Sequence, residues 1–249
     1  MTFRLSVINP NSDSAVTEYL RLVTTRVLPG GSGVDAVDCP ESPAVIETAL
    51  DDVLAAPAVV AAAMRAGDPD AFLIGCFGDP AVSALRELTA APVVGLGEAA
   101  LVQASLVTSR FGVITTLDRG IPAIWSQLDR AGLAGACAGI RSVESDADTG
   151  PEPEKLLSRL THHGGRLLAD GADGLVLACA GFGHCSERLA TALDVPVCDG
   201  IGLGACLAYG LFASGVRTSK RGGYAWPGRE VTSAQAGRQA ALPDNGSGP

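Results

Sequence analysis

The chain has 249 residues, of which 47% are hydrophobic but only 4% aromatic, and its formal net charge is −9. This length suits one large domain or two lobes of roughly a hundred residues each, and so few aromatic residues predict a core of Ala, Val, Leu and Ile, as in parallel sheets covered by helices. The acidic balance, with no block of positive charge, argues against nucleic acid and against an anionic membrane as partners.

The cysteines and the N-terminal region indicate in which cellular compartment the protein is expected. The seven cysteines are an odd number and show no disulfide framework. Before Asn9-Pro10-Asn11 the chain offers only Arg4 and a short apolar run, unlike a secretory signal. The longest uncharged run near the C-terminal end, 201–216, is shorter than a membrane-spanning helix. We therefore expect a protein of the reducing cytoplasm.

Short apolar runs alternate with helical patterns along the chain. The runs predict eight strands, near 3–8, 34–38, 71–75, 92–95, 111–115, 137–143, 174–178 and 195–198. The stretches between and after them predict eight helices, near 13–28, 43–64, 80–89, 97–108, 118–131, 152–170, 184–193 and 201–213. Such alternation is typical of βαβ units, so we expect an α/β fold whose ligand-binding loops follow the strands at one edge of each parallel sheet.

Three helix starts are marked by capping residues. Asp79-Pro80 and Ser42-Pro43 each place a proline directly after a residue that caps helices well, which predicts helices beginning at 80 and 43. Asp118 is the candidate N-cap of the helix near 118–131.

Two segments of the chain are copies of one design, and each contains one cysteine. The first runs from Leu73 through Cys76 to Gly78, and the second from Val176 through Cys179 to Gly181. The cysteines are 103 positions apart, and a matching pair of prolines that follows them is 104 apart. A weaker sequence similarity relates residues 6–9 to residues 112–115. The nearly constant offset predicts two similar Rossmann-like lobes, each with a four-stranded parallel sheet, stacked about a pseudo-two-fold axis.

The repeat also predicts the domain boundaries. Lobe one is expected to comprise residues 1–97 together with 201–226, because the last helix is expected to pack back on it, and lobe two residues 98–200. From 227 to 249 the sequence is rich in Gly, Gln, Ser and Ala with little periodicity, which predicts a disordered tail.

Matched strand ends would bring Cys76 and Cys179 to one interlobe cleft. Each precedes a helix and is followed within two residues by glycine, so backbone N–H groups are expected to favour its thiolate. A thiolate on one side of a small substrate and a thiol on the other can remove a proton from one face of a carbon and return it to the other. A lone cysteine in such a segment is more often a packing residue, but two at repeat-matched positions favour catalysis.

Four further positions are candidate substrate-binding residues. Asn11 presents an amide after the first strand, and Thr115-Thr116 offers a threonine hydroxyl at the matching strand end of lobe two. A turn or capping role is the alternative for both. Gly78 and Gly181 allow the backbone to approach a ligand closely, and N–H groups near them could stabilise an enolate oxygen.

Metal and cofactor sites have little support. His184 and Cys185 lie close to Cys179, so a zinc site with Cys76 is conceivable, but no ligand pair has CxxC or HxxxH spacing. The glycines at 200–204 lack the spacing and the following acidic residue of a dinucleotide site. We therefore expect neither a metal nor an organic cofactor. The remaining cysteines are expected to be small core residues, namely Cys39, Cys137, Cys198 and Cys206.

Several motifs together resemble the aspartate/glutamate/hydantoin racemase superfamily. They are Ile8-Asn9-Pro10-Asn11-Ser12, Cys76-Phe77-Gly78-Asp79-Pro80, Pro92-Val93-Val94-Gly95, Cys179-Ala180-Gly181, Pro196-Val197-Cys198-Asp199-Gly200 and the closing segment 218–227. The resemblance covers about residues 3 to 227 and is closest to the hydantoin racemase branch, with allantoin racemases beside it. One departure is Phe182-Gly183-His184-Cys185, where a Met and small or acidic residues are usual.

The resemblance implies a cofactor-independent racemase with its active site between two pseudo-symmetric α/β lobes. The catalytic cysteines map to Cys76 and Cys179, and binding positions to Asn11, Gly78, Thr116 and Gly181. The implied substrate is a 5-monosubstituted hydantoin, whose ring carbonyl acidifies the proton on C5, and members are commonly homo-oligomers.

Other functions remain open on the same residues. Racemisation of allantoin or of an amino acid such as aspartate or glutamate is the nearest alternative, although few Arg or Lys residues lie in the motifs, which favours a neutral ring. Malonate decarboxylases share the scaffold but keep one of the two cysteines. Maleate isomerase-like chemistry would use a thiol as nucleophile on an alkene. A two-lobed ligand-binding module is the non-enzymatic alternative.

Overall fold

In the computed structural model, which describes residues 2–144 and 153–228, the chain forms two four-stranded parallel sheets of the same topology. The first has the order β2-β1-β3-β4 and the second β6-β5-β7-β8. The strands are β1 (Arg4–Ile8), β2 (Gly33–Val37), β3 (Ala71–Ile74), β4 (Val93–Gly95), β5 (Phe111–Thr115), β6 (Cys137–Ser142), β7 (Gly174–Leu177) and β8 (Val197–Cys198). The predicted α/β fold with two four-stranded sheets is confirmed.

Within the described residues, eight α-helices follow or separate these strands. They are α1 (Ser14–Val27), α2 (Ala49–Arg65), α3 (Val82–Leu88), α4 (Leu96–Val107), α5 (Ile121–Ala131), α6 (Pro153–Ala169), α7 (Ser186–Leu193) and α8 (Ile201–Ala213). Short 3-10 helices occupy Asp118–Gly120, Ala134–Ala136, Ala180–Cys185 and Gly222–Tyr224. Nearly all of the disordered tail predicted from residue 227 lies outside the described residues. No helix that the structure describes is long and apolar enough to span a membrane.

The predicted start of α2 is wrong. The helix begins at Ala49 rather than at 43, because Thr48 is its N-cap and forms a reciprocal capping box with Asp51. Ser42-Pro43 instead lies in the irregular segment before the helix, where the Pro43 carbonyl accepts a hydrogen bond from the Ser12 N–H. A proline after a capping residue is compatible with a turn as well as with a helix start.

The predicted cap of α3 is also wrong. The helix begins at Val82 behind Ala81, and Asp79 has a positive φ of 54°. The Asp79 carboxylate turns away from α3 and accepts hydrogen bonds from the N–H groups of Gly97 and Glu98, each at 2.8 Å. Asp79 therefore caps the N-terminal end of α4, a contact between residues 18 and 19 positions apart.

Asp118 does not cap α5. It begins a 3-10 helix ahead of α5, and its side chain accepts a hydrogen bond from the Ser142 hydroxyl at 2.5 Å. α5 itself begins without a side-chain cap at Ile121, with a proline in its first turn.

In the part of the chain that the structure describes, the core consists of three apolar clusters. The central cluster joins the two sheets through α1, α4, α5 and α8 and includes Val7 of the first sheet and Val113 of the second. The second cluster covers the other face of the first sheet with α2 and α3, and the third covers the other face of the second sheet with α6 and α7. Both sheets are thus covered on both faces, as their apolar strands require.

The chain returns to the first sheet at its C-terminal end. In α8, a Cβ on Gly204 would lie 2.7 Å from a methyl carbon of Leu73 in β3, so this helix packs directly on the first sheet. The following segment binds the last turn of α3, where the Lys220 ammonium donates to the carbonyls of Arg86 and Glu87. A discontinuous lobe one requires this return of the chain to the first sheet. The boundaries of the two lobes remain a prediction.

Candidate active site

The two cysteines lie at equivalent positions on the carboxyl edges of the two sheets. Cys76 is two residues past β3 and Cys179 two residues past β7. The register of β1 with β3 places the loop after Ile8 beside Cys76, and that of β5 with β7 places Thr116 beside Cys179. A negative charge on Cys179 raises the pKa of Cys76, so the two sulfur atoms are within electrostatic range of each other across the cleft.

The Cys76 thiol is neutral in the free protein. Burial raises its pKa to about 12. The N–H of Gly78 donates to the sulfur and opposes this shift, whereas the charges of Asp52, Cys179 and Asp79 add to it. The residue as a whole is only partly buried.

The Cys179 thiol has the same kind of environment. Burial raises its pKa, and the charge of Glu47 adds to the shift, while the N–H groups of Gly181 and Phe182 lower it. The prediction that backbone N–H groups favour a thiolate at rest is therefore wrong for both sites. The N–H groups are present, but the loss of hydration outweighs them.

Alkylation rates test this protonation state. Because only the thiolate reacts and the pKa of Cys76 is raised, we expect slow alkylation by iodoacetamide at neutral pH and a rate that still rises above about pH 9. Peptide mass spectrometry would measure the rate at each site, with the exposed Cys206 as internal reference. A rate for Cys76 that levels off below about pH 8 would contradict the raised pKa.

The Cys76 loop is held by the other half of the molecule. Gln127, on α5, donates its amide N–H groups to the Phe77 carbonyl at 2.9 Å and to the Asp79 carboxylate at 2.9 Å. Asp79 in turn binds the first turn of α4 at Gly97. The residues that follow Cys76 are thus fixed by helices that precede and follow the first strand of the second sheet.

The Cys179 loop has a reciprocal contact. A Cβ on Gly183, in the 3-10 helix that follows Cys179, would lie 2.9 Å from the hydroxyl of Tyr19 on α1. The Gly183 carbonyl also accepts a hydrogen bond from the Ser186 hydroxyl at 2.8 Å. The helix after the first strand of each sheet therefore contacts the cysteine loop of the other sheet, which couples the two sides of the cleft.

Asn11 belongs to a turn in the free protein. Its side-chain oxygen accepts from the amide of the buried Asn9 at 2.6 Å and from the N–H of Asp13 at 2.9 Å. Asp13 is the N-cap of α1. The turn role that was the alternative for Asn11 is present, and a ligand contact would fall to its amide nitrogen.

The other predicted binding residues lie around the thiols. Thr116 follows β5 and is half-buried. A Cβ on Gly181 would lie 3.6 Å from the sulfur of Cys179, and one on Gly78 would lie 2.9 Å from Oδ1 of Asp52. Gly181 thus keeps space open beside the Cys179 sulfur and Gly78 beside the Asp52 carboxylate, and each glycine directs its N–H at the sulfur of its own loop.

The sequence analysis did not identify two carboxylates of the site, those of Glu47 and Asp52. Both belong to residues 38–52, which we call the cleft segment. It is joined to the loop after β1, where the Cys39 N–H donates to the Asn11 carbonyl at 3.0 Å. It also reaches the loop after β5, where the Glu47 carbonyl lies 3.5 Å from the Cβ position of Gly120. Glu47 thereby acts on Cys179 and Asp52 on Cys76. The sequence motif Thr48-x-x-Asp51 is a capping box and could have located the start of this helix.

Within residues 2–144 and 153–228, the remaining cysteines and His184 are not grouped in a way that could hold a metal ion. Among the described residues no group of three or more His, Cys, Asp or Glu side chains is placed to hold a metal ion, and Cys185 is buried in the third apolar cluster. Cys39, Cys137 and Cys198 are buried as predicted, but Cys206 is exposed on α8.

Comparisons with known proteins agree with this architecture. The family model for Asp/Glu/hydantoin racemases matches residues 5–208. A hydantoin racemase of Paenarthrobacter aurescens is 34% identical over 229 residues, covering 90% of this chain and 97% of that protein. One of Rhizobium meliloti is 33% identical and covers 90% and 94%.

A solved structure extends the comparison to three dimensions. The allantoin racemase of Klebsiella pneumoniae superposes with a TM-score of 0.87 at 30% identity, over 93% of this chain and 96% of that one. The two sheets, their paired cysteine loops and these similarities lead to one conclusion: the chain belongs to the Asp/Glu/hydantoin racemase family.

Proposed function

We propose that the protein is a cofactor-independent racemase of 5-monosubstituted hydantoins in which Cys76 and Cys179 exchange protons with the two faces of C5. The observation that carries the proposal is the pair of half-buried thiols at equivalent strand ends, within electrostatic range of each other. The hydantoin racemases among the relatives support this class of substrate.

The charge of the cleft favours a neutral ring over an amino acid. Apart from the cysteines themselves, the charged side chains that shift the pKa values of Cys76 and Cys179 are carboxylates, namely Asp52, Asp79 and Glu47. The carboxylate of a free amino acid would be repelled there, since like charges in a poorly solvated site are costly. A hydantoin has no charge and offers N–H donors to carboxylates and carbonyl acceptors to backbone N–H groups.

The proposed reaction needs one thiolate and one thiol. The thiolate removes the C5 proton from one face, and the thiol of the other cysteine delivers its own proton to the opposite face, so that the sulfur atoms exchange protonation states. A thiol with a raised pKa is a minor thiolate at neutral pH but a stronger base once ionised, which suits a weakly acidic carbon. The N–H groups of Gly78 and Gly181 are donors that can stabilise the negative charge developing on the C4 carbonyl oxygen.

Allantoin is the second candidate substrate. It is itself a hydantoin substituted at C5, and the allantoin racemase structure superposes on nearly the whole chain. Its C5 substituent is a polar ureido group, so a preference for allantoin over hydantoins with apolar substituents would show as a higher kcat/KM.

A substrate panel tests the proposal. Single enantiomers of hydantoins with alkyl, benzyl and carboxyethyl substituents at C5, together with allantoin, aspartate and glutamate, would be followed by polarimetry with and without protein. We expect protein-dependent loss of rotation for the neutral hydantoins and none for the amino acids. Racemisation of an amino acid but of no hydantoin would overturn the proposed substrate class.

A further inference from the structure

We propose that Asp52 determines specificity by accepting a hydrogen bond from the ring N–H that adjoins the reacting carbon. This inference rests on the proposed function, because it assigns the part of a hydantoin that the carboxylate would bind. Asp52 would then contact the substrate directly, on the same side of the cleft as Cys76.

The position of Asp52 is the first argument. Its two carboxylate oxygens lie 2.9 and 3.5 Å from the Cβ position of Gly78, the glycine whose N–H faces the Cys76 sulfur. Its charge also acts on Cys76, and the glycine it adjoins lies two residues after Cys76, in the same loop. A side chain larger than hydrogen at residue 78 would push this carboxylate away.

The bonding state of Asp52 is the second argument. The side chain is half-buried, and burial raises the pKa of its carboxyl. The backbone N–H of Asp52 donates to the Thr48 carbonyl, but among the side-chain hydrogen bonds of the described residues none involves the Asp52 carboxylate. A partly desolvated carboxylate without donors is costly, so a ligand that brings an N–H group to it would recover that cost.

The side chain of the neighbouring Asp51, not that of Asp52, makes the hydrogen bonds that fix the start of α2. The Asp51 carboxylate is occupied by the N–H groups of Glu47 and Thr48 and by the Thr48 hydroxyl, at 2.8 to 3.2 Å. These bonds fix the first turn of α2 on the cleft segment. Asp52 is therefore held on a fixed helix start, and its own carboxylate remains free for a ligand.

The chemistry of the ring selects the partner. Cys76 must approach C5 for proton transfer, and N1 is the nitrogen bonded to C5. A carboxylate beside Cys76 therefore faces the N1–H group more directly than N3–H, which lies on the far side of the C4 carbonyl. A hydrogen bond to a charged acceptor is worth about 1.5–3 kcal/mol, or roughly a 10- to 150-fold change in kcat/KM.

A cycle of enzyme and substrate changes tests this contact. Wild-type protein and Asp52→Ala would each be assayed with a 5-alkylhydantoin and with its N1-methyl and N3-methyl analogues, after subtraction of the buffer rate. For wild-type protein we expect N1-methylation to lower kcat/KM about 10- to 100-fold. In Asp52→Ala the parent substrate should lose a similar factor, and N1-methylation should cost nothing further. N3-methylation should cost both proteins the same factor.

Two controls separate this role from a structural one. Asp68→Ala removes the same side chain from an exposed site beyond the C-terminal end of α2 and should leave every rate unchanged. Asp52→Asn keeps the shape and one acceptor oxygen and should fall between wild type and alanine. An equal N1-methyl penalty in wild type and Asp52→Ala would overturn the assignment. Absence of hydantoin turnover by the wild-type protein would instead reject the proposed function itself, and the assignment with it.

Discussion

Alanine in place of either Cys76 or Cys179 is expected to lower racemisation about 10³-fold or more. General acid or base catalysis contributes about 10²- to 10⁴-fold, and each turnover needs both thiols, one to remove the proton and one to return it. Neither residue is fully buried, so each variant should fold. Polarimetry on both enantiomers of a 5-alkylhydantoin measures the loss, and circular dichroism checks the fold.

Cys206→Ala is the matched control, because this thiol is exposed on α8. It should keep the wild-type rate. Racemisation within about tenfold of wild type by either active-site variant would show that a single base suffices and would contradict the two-thiol mechanism.

Gly97→Ala is expected to abolish most activity without touching a thiol. A Cβ on Gly97 would overlap the carbonyl oxygen of Phe77, the residue after Cys76, and the amide nitrogen of Gln127. Both belong to the contact that fixes the Cys76 loop. Overpacking of this kind costs about 1–3 kcal/mol of unfolding free energy, and a displacement of about 1 Å at a catalytic group can cost about 10²-fold in rate.

Gly210→Ala provides the comparison, since it makes the same substitution in another helix where a Cβ meets nothing within 4 Å. There we expect unchanged activity and a gain of about 0.5–1 kcal/mol, because alanine favours a helix over glycine. Urea unfolding and racemisation assays on both variants measure the two effects. Wild-type activity in Gly97→Ala would show that the contact does not position Cys76.

The fold and the equivalent positions of the two cysteines were predictable because they depend on local patterns that repeat. Apolar runs before Cys76 and Cys179 identify buried strands, and the constant offset between them indicates two sheets of the same topology. The same patterns place the carboxyl ends of those strands, and with them the cleft. The strand boundaries agree with the structure to within one or two residues.

The errors involve contacts between residues far apart in the chain. Asp79 was assigned to the helix that follows it, but it caps α4 and accepts a hydrogen bond from Gln127, 48 positions away. The resting thiolate was assigned from nearby N–H groups, but desolvation by the whole fold decides the pKa of Cys76. Nearby residues in the sequence identify the N–H groups that can donate to a thiol, whereas the burial of that thiol is known only from the three-dimensional structure.

The missed carboxylates have the same cause. Glu47 and Asp52 lie on a segment with no resemblance to the cysteine repeat, and an acidic residue in the first turn of a helix is ordinarily explained by the helix dipole. Only the crossing of the cleft segment from one sheet to the other brings them to the thiols.

The measurement that tests the two-thiol mechanism most directly is hydrogen exchange at C5 in D2O by the two cysteine variants. Each variant retains one base, so each should exchange the C5 proton of one enantiomer with retention of configuration, and the two variants should act on opposite enantiomers. Proton NMR of single-enantiomer 5-alkylhydantoins, with chiral chromatography of the product, would measure both outcomes. Exchange of the same enantiomer by both variants, or of both enantiomers by either one, would contradict the assignment of one thiol to each face.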